Sequence, residues 1–209
     1  MVVALCTGGE EPLSEQGIAW LDKAQYIIAA DGGLRMLRRW GQVADHWIGD
    51  RDSLDGPWED WAPWTKGSTL LNRDKDITDT HAALQYLENN VAVSEIWMLG
   101  GSGRRMDHWW SNWKFWEQEK RLSRWLTPYE TAFALNEGQT WKSSTGVLSI
   151  LPLGPGPFRV ESALLRWPLD KYNFQDSLSL SNEAQEGAWI KSIQGRFLIV
   201  IPQQVQVLS

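Results

Sequence analysis

The chain has 209 residues, of which 43% are hydrophobic and 22% charged, with a net charge of −6; this composition is typical of a globular protein with a proper core. The acidic balance argues against a general nucleic-acid binder, which would present a basic surface. It leaves anionic substrates open, because a metal ion or a few local arginines can reverse the field inside a cleft.

One cysteine, Cys6, excludes an intrachain disulfide, and the three separated histidines give no zinc-binding pattern. The start of the chain lacks the basic segment and the long apolar run of a signal peptide. No stretch has the apolar length of a membrane-spanning helix. We therefore expect a cytoplasmic, reduced protein with no membrane partner.

The first two-thirds of the chain alternate strand and helix patterns, which predicts parallel β–α–β units. After about residue 135, short apolar runs interrupted by Gly and Pro predict strands alone. We therefore predict a Rossmann-like α/β parallel-sheet domain over residues 1–137, followed by an all-β sandwich or barrel domain over residues 138–209. The predicted strands of the first part are 2–9, 26–33, 44–50, 68–74 and 93–101, and its predicted helices are 14–23, 33–40, 78–90 and 107–120.

Aspartates follow the ends of four successive predicted strands. Each one alone could be a helix cap or a turn residue. Together they point to a ligand site, because the crevice beyond the carboxyl ends of parallel strands is where such sheets bind ligands. The set is Asp31, then Asp50 and Asp52, then Asp74, Asp76 and Asp79, and finally Asp107.

Clustered carboxylates repel one another unless a cation neutralises them, and hard oxygen ligands suit Mg²⁺. Because Mg²⁺ takes few carboxylates and completes its shell with water and phosphate oxygens, we predict Asp50, Asp52 and Asp79 as its ligands. Glycines before helices offer backbone N–H groups to phosphate, as in "DGG" (31–33) and "GGSGRR" (100–105). Basic side chains near the predicted strand ends can also pair with phosphate; they are Arg51, Arg73, Lys75, Arg104 and Arg105.

Five short motifs, in this order, resemble those of the thiamine pyrophosphokinase family, and the resemblance extends over nearly the whole chain. They are "ADGG" (30–33), "GDRDS" (49–53), "KDITD" (75–79), "GSGRRMDH" (101–108) and "SLSN" (179–182). The resemblance implies transfer of a pyrophosphoryl group from ATP to the hydroxyl group of thiamine, giving thiamine diphosphate and AMP. It also implies a homodimer in which thiamine lies between the first domain of one subunit and the second domain of the other.

The resemblance also implies roles for individual residues. The catalytic residues would be Asp50, Asp52, Asp79 and Asp107, and the first three would hold Mg²⁺. Residues 1–137 would form the catalytic, nucleotide- and Mg-binding domain, and residues 138–209 the thiamine-binding domain. The nucleotide-binding residues would be Asp31, Gly32, Gly33, Lys75, Asp76 and Arg105, and the thiamine-binding residues Trp167, Ser181 and Asn182.

The sequence departs from the family at two positions, where Arg51 replaces a commonly apolar residue and Arg104 replaces a glycine. In an extended chain, Asp50 and Asp52 would point the same way and Arg51 the opposite way, unless it swings round to a phosphate. The proton of the thiamine hydroxyl could pass to Asp79 or to Asp107, and the sequence does not choose between them.

The stretch "DHWWSNWKFWEQE" (107–119) places Trp109, Trp113 and Trp116 on one helix face. This face could cradle the cationic ring of thiamine or could simply pack against the sheet. Two other functions stay open: a pyrophosphokinase for another alcohol such as a pterin, and a non-catalytic module that binds nucleotide or thiamine. The complete set of acidic residues and the "SLSN" motif argue against both.

Overall fold

The computed structural model describes residues 1–103, 105–143 and 145–203. The chain divides into two compact units, Met1–Pro128 and Tyr129–Ser209. The boundary predicted from the sequence, between residues 137 and 138, lies further along the chain. The functional assignment of each part stays a prediction.

The first unit begins with the strand–helix alternation that the sequence predicts. Its strands are β1 (Val2–Thr7), β2 (Tyr26–Ala30), β3 (His46–Gly49), β4 (Ser68–Leu70), β5 (Glu95–Leu99) and β6 (Leu122–Leu126). Its α-helices are α1 (Ser14–Leu21), α2 (Gly33–Arg39), α3 (Asp79–Asn90) and α4 (Met106–Gln118). Two short 3₁₀-helices, Trp58–Asp60 and Ala62–Trp64, lie between β3 and β4.

The strands of the first unit pair in parallel in the order β6–β5–β1–β2–β3–β4. Ala4 and Leu5, which point to opposite faces of the central strand β1, are both fully buried, as expected for a parallel strand that is covered on both faces. Parallel pairing brings the carboxyl ends of these strands to one edge of the sheet. The loops that carry the predicted acidic residues therefore start from the same edge.

Helix α3 shows how local sequence fixes the position of an acidic residue. The hydroxyl group of Thr78 accepts a hydrogen bond from the backbone N–H of His81 at 3.2 Å, which caps the helix. Asp79 is then the first helical residue, where the helix dipole favours a negative charge.

The second unit consists of strands alone within the residues that the structure describes. They pair antiparallel in the order β10–β11–β9–β12–β7, and β8 also pairs with β11. Alternating apolar residues on these strands form one buried cluster around Ile150, Ile190 and Phe197. The strands are β7 (Glu130–Leu135), β8 (Thr140–Lys142), β9 (Gly146–Leu153), β10 (Arg159–Leu165), β11 (Ser179–Gln194) and β12 (Arg196–Pro202).

Among the described residues the 12 strands pair partly in parallel and partly antiparallel, as in a mixed sheet, and only 23% of the residues are helical. The predicted fold class, a Rossmann-like α/β parallel-sheet domain followed by an all-β sandwich or barrel, is therefore wrong. Hydrophobic periodicity identifies strands and the face that each one buries. It does not determine which strand edges pair, so it could not predict a mixed sheet.

The tryptophans of α4 do not share one environment. Trp116 is fully buried and stacks on Trp125 with the ring centroids 5.9 Å apart, so packing explains this position. Trp109 and Trp110 are exposed, and Trp109 stacks on the half-buried Trp113. No helix among the described residues is long and apolar enough to cross a membrane.

Candidate active site

A cavity of about 450 Å³ lies in the first unit at the carboxyl ends of the parallel strands. Its walls come from the loops after β1, β2 and β5 and from the beginnings of α3 and α4. Three of the predicted acidic residues line it, namely Asp31, Asp79 and Asp107. Its remaining lining is rich in glycine and in small hydroxyl side chains, so backbone N–H groups and hydroxyl groups are within reach of a ligand.

Asp31 occupies an unusual backbone conformation directly after β2. Its φ angle is +40°, in the left-handed region that residues other than glycine seldom adopt. Its N–H group donates to the carbonyl oxygen of Ile48 at 2.8 Å, and the indole N–H of Trp47 donates to its carbonyl oxygen at 3.1 Å. The residue is only 7% exposed, and its Oδ1 atom is buried with no hydrogen-bond partner. Such an orphaned oxygen is the kind of atom that a bound cation would satisfy.

Asp50 and Asp52 follow β3, and the geometry between them differs from our expectation. Arg51 has a φ angle of +73°, so the chain turns here and is not extended. The prediction that strand alternation aims both carboxylates the same way is therefore wrong. The turn instead lets the N–H group of Asp52 donate to Oδ1 of Asp50 at 3.1 Å.

Arg51 does not line the cavity. Its guanidinium lies over the ring of Trp58, with 4.4 Å between the central carbon and the ring centroid. Trp58 in turn packs on Trp47 at 4.8 Å. The side chain is thus held by aromatic packing, which is different from both positions that the sequence left open.

Asp31, Asp50 and Asp52 each offer a carboxylate oxygen, and these three oxygens lie within 4.8 Å of one another. The donor set is made of hard oxygens, one of them from the buried Asp31, which fits Mg²⁺. The sequence assigned Asp31 to nucleotide binding and proposed Asp79 as the third metal ligand. By distance, Asp31 is the third member of this group within the part of the chain that the structure describes.

Asp79 connects to the same group through Lys75. The Nζ atom of Lys75 lies 2.6 Å from Oδ2 of Asp50 and 3.2 Å from Oδ1 of Asp79, and its side chain is only 15% exposed. Lys75 therefore neutralises part of the negative charge of the acidic group. Its predicted role in nucleotide binding stays a prediction.

Burial and neighbouring charges shift the pKa values of these groups in opposite directions. Burial raises the pKa of Asp31 to about 6, against a hydrogen bond with Ser53 that lowers it, and the charges of Asp79, Asp52 and Asp50 add to the rise. Burial also raises the pKa of Asp79, with Lys75 opposing the shift. For Asp50, burial is outweighed by hydrogen bonds from Lys75 and from the backbone of Asp52, and its pKa is lowered.

Glycines let the cavity loops approach one another closely. The N–H group of Gly101 donates to the carbonyl oxygen of Gly8 at 2.9 Å, and Gly101 has a φ angle of +73°. A Cβ atom on Gly33 would lie 2.1 Å from the carbonyl oxygen of Cys6. Gly32 lines the cavity beside Asp31, whereas Gly33 is buried and serves the close packing of α2 on β1.

The residues before α4 lie at the rim of the cavity. Arg105 and Asp107 pair with each other at 2.6 Å, and both side chains are exposed. This hydrogen bond lowers the pKa of Asp107. Asp76 is exposed and does not line the cavity, and Arg104 lies outside the described residues.

The predicted thiamine-binding residues lie in the second unit. Trp167 is 46% exposed, and the guanidinium of Arg166 lies 4.7 Å over its ring. Asn182 is buried and bonds to both backbone groups of Trp167: its Oδ1 accepts from the N–H at 3.2 Å and its Nδ2 donates to the carbonyl at 2.8 Å. Ser181 is exposed with a φ angle of +51°. Any effect of Asn182 on thiamine would therefore act through Trp167.

Sequence reasoning missed several residues of the cavity. Gly8 and Gly9 line it, and the signal for them was a glycine pair directly after the central strand. Asn112 also lines it, and its amide donates to the carbonyl oxygen of Gly101 at 2.8 Å. Nothing in the local sequence distinguishes this asparagine from an ordinary polar residue of a helix.

The sequence matches the family described as "Thiamin pyrophosphokinase, catalytic domain" over residues 19–123, which is half of the chain. The sequence matches no curated protein at a significant level.

Solved structures with the same fold are similar to this chain over nearly its whole length. A thiamin pyrophosphokinase family protein from Enterococcus faecalis is 20% identical, with a TM-score of 0.77, and the match covers 98% of this chain and 100% of the other. The enzyme from Bacillus subtilis is 17% identical, with a TM-score of 0.73 and coverage of 98% and 100%. The enzyme from Candida albicans is 17% identical, with a TM-score of 0.73 and coverage of 96% and 89%.

Proposed function

The chain belongs to the thiamin pyrophosphokinase family and is an enzyme of thiamine pyrophosphorylation; we propose that its donor is ATP bound with Mg²⁺ and that its products are thiamine diphosphate and AMP. The pterin pyrophosphokinase and the non-catalytic module are not favoured. We include a cytoplasmic location in the proposal, on the basis of the reduced, single-cysteine sequence.

One observation carries the proposal. Three carboxylate oxygens, from Asp31, Asp50 and Asp52, lie within 4.8 Å of one another, and Asp31 also lines the cavity of about 450 Å³. Lys75 offsets part of the repulsion among these three negative charges, and a bound cation would offset the rest. A nucleotide triphosphate with its Mg²⁺ would place a cation and phosphate oxygens there.

The reaction requires a new bond between the hydroxyl oxygen of thiamine and the β-phosphorus of ATP. The bond from that phosphorus to the oxygen shared with the α-phosphorus breaks, and this oxygen leaves with AMP. A Mg²⁺ ion held by Asp50 and Asp52, with Asp31 as the third oxygen ligand, would supply positive charge to the triphosphate. The chain itself contributes positioning: the loops after β1 and β5 present backbone N–H groups, and Arg105 can reach phosphate from the rim.

The hydroxyl proton needs an acceptor, for which Asp79 and Asp107 are the two candidates. We favour Asp79. Its pKa is raised by burial, whereas the pKa of Asp107 is lowered by its hydrogen bond to Arg105. A carboxylate with the higher pKa is the stronger base.

The direct test is to incubate the purified chain with ATP, Mg²⁺ and thiamine and to measure products by chromatography. The proposal predicts equal amounts of AMP and thiamine diphosphate, and neither product when thiamine or Mg²⁺ is left out. ADP in place of AMP would contradict pyrophosphoryl transfer. A pterin alcohol offered instead of thiamine tests the alternative acceptor in the same assay.

We further propose a homodimer in which each thiamine site takes residues from both subunits. The resemblance to the family supports this arrangement, and so does the exposed face of Trp167. The test mixes two weak variants, Asp50→Asn and the double variant Trp167→Ala/Asn182→Ala, under conditions that exchange subunits. Random exchange would leave about one quarter of the sites with neither substitution, because half of the dimers are mixed and each has one intact site. Sites built within one subunit would give no recovery of activity.

A further inference from the structure

Each of the two loops that bear the three carboxylates contains one residue with a left-handed backbone conformation. Aromatic contacts connect the two loops. Asp31 after β2 has a φ angle of +40°, and Arg51 after β3 has a φ angle of +73°. This conformation is strained for residues other than glycine, so surrounding contacts must hold it. These two turns set where the three carboxylates point.

Trp47 is the contact that holds the first turn. It is fully buried on β3, and its indole N–H donates to the carbonyl oxygen of Asp31 at 3.1 Å. Gly49 allows the close approach, because a Cβ atom there would lie 2.9 Å from the Cα and Cβ atoms of Asp31 and 2.9 Å from the Trp47 ring. The backbone of Asp31 is therefore held by a side chain of the neighbouring strand.

Trp58 extends the contact to the second turn. Its ring packs on Trp47 with the centroids 4.8 Å apart and the planes tilted by 42°, and the guanidinium of Arg51 lies over the Trp58 ring at 4.4 Å. Arg51, Trp58 and Trp47 thus form a stack that ends on the carbonyl group of Asp31; we call it the Arg–Trp–Trp stack. Cation–π and aromatic pairs of this kind are attractive beyond the apolar area that they bury.

The stack spans the distance between Asp31 on one loop and Asp50 and Asp52 on the other. Their three oxygens lie within 4.8 Å, although their charges repel one another. Oδ1 of Asp31 is buried without a partner, so the carboxyl group is not held in place by hydrogen bonds at that oxygen. The stack holds the backbone, and the backbone aims the carboxylate.

We infer that Trp47 and Trp58 are positioning residues that hold Asp31 and the Asp50–Asp52 turn at the spacing a divalent cation requires. This inference rests on the metal site of the proposed function. Neither tryptophan touches the cation or the substrate. Their substitution therefore changes cation affinity through the separation of the two loops.

The test compares two tryptophan-to-phenylalanine variants that are matched in their surroundings. Trp47→Phe removes the N–H donor to Asp31 and keeps an aromatic ring. Trp125→Phe is the control, since Trp125 is also buried on a strand, stacks on another tryptophan, and donates its N–H to a loop carbonyl, that of Gly100, at 2.7 Å. The Gly100 loop carries none of the three carboxylates.

The measurement is Mn²⁺ affinity without nucleotide, from the electron paramagnetic resonance signal of free Mn²⁺, together with the melting temperature of each variant. Trp47→Phe should weaken Mn²⁺ binding about three- to tenfold, the range expected for one lost hydrogen bond. Trp125→Phe should change the Mn²⁺ affinity by less than about twofold. It should nevertheless lower the melting temperature about as much as Trp47→Phe does. Equal Mn²⁺ affinities in the two variants would overturn the inference.

A second variant keeps the inference testable if Trp47→Phe does not fold. Trp58→Leu removes the middle of the stack at a half-buried position and should weaken Mn²⁺ binding about two- to threefold; unchanged affinity would overturn the inference. If the wild-type chain makes thiamine diphosphate but binds no Mn²⁺ without nucleotide, the metal site does not form without nucleotide. That result would overturn the inference and leave the proposed function intact. A wild-type chain that binds Mn²⁺ but makes no product would contradict the proposed function alone.

Discussion

Two regions of the molecule use buried polar side chains in opposite ways. One is the acidic group of the first unit (Asp31, Asp50 and Asp52), and the other is the Trp167 corner of the second unit (Trp167 and Asn182). At the acidic group, Asp31 is buried with an unpaired oxygen and a raised pKa. At the corner, Asn182 is buried with its amide bonded to the backbone on both sides of Trp167. A buried polar group that the protein leaves unpaired indicates a ligand, whereas one that the protein fully pairs indicates scaffolding.

The largest effect should come from the carboxylates themselves. Asp50→Asn and Asp52→Asn should each reduce turnover by at least about a hundredfold, because each removes charge at a metal–phosphate site. Steady-state kinetics with ATP and thiamine measures this. Asp55→Asn, at an exposed aspartate on the same loop, is the matched control. Near-normal turnover in both site variants would show that the acidic group has a structural role and binds no catalytic metal. The contrast with Asn182 would then not hold.

The next largest effect should be that of Asp31→Asn on the free energy of unfolding. The folded-state pKa of Asp31, about 6, exceeds the unfolded value of 3.8, so its contribution to stability is fully present below pH 3.8 and is lost as the pH rises through 6. Asp31→Asn should therefore raise the free energy of unfolding by about 1–3 kcal/mol at pH 8 without metal. Urea unfolding at several pH values measures it, and the gain should vanish below about pH 4. A variant less stable than wild type at pH 8 would contradict the burial of an unpaired charge.

Trp167→Ala should weaken thiamine binding about tenfold and leave ATP binding nearly unchanged, because stacking on a cationic ring contributes roughly 1–2 kcal/mol. Isothermal titration with each ligand separates the two affinities. Since Trp167 is 46% exposed, its loss should cost little stability.

Asn182→Ala is the counterpart of Trp167→Ala and tests whether Asn182 only supports Trp167. It leaves the backbone groups of Trp167 without their partners, so it should lower both stability and thiamine affinity. Loss of thiamine affinity at full stability would mean that Asn182 contacts thiamine directly.

The smallest effect should be that of Arg51→Leu. The guanidinium lies on Trp58 and not in the cavity, and leucine keeps an apolar contact with that ring. We expect kcat to stay within about twofold of wild type and the KM for ATP to rise by no more than the two- to threefold that loss of one contact in the Arg–Trp–Trp stack would cause. A larger rise in the KM for ATP alone would place the arginine on a phosphate during the reaction.

The sequence by itself determined the first five strands and the four α-helices of the first unit, and the edge where its acidic residues meet. Each predicted helix there begins within one residue of the observed one, because helical periodicity and capping residues are local signals. Aspartates after successive parallel strands reach a common edge whatever the details of packing. The motifs were also enough to identify the family.

Only the tertiary structure decided how strands pair and which atoms meet. The fold class was wrong because strand patterns do not specify pairing, and β6 was missed as a strand. The left-handed turn at Arg51 replaced an expected extended chain, and Asp31 took the place of Asp79 among the three closest oxygens. These outcomes depend on contacts between residues that are distant in the chain, such as Trp47 with Asp31 and Asn182 with Trp167, and a one-dimensional pattern does not contain such contacts.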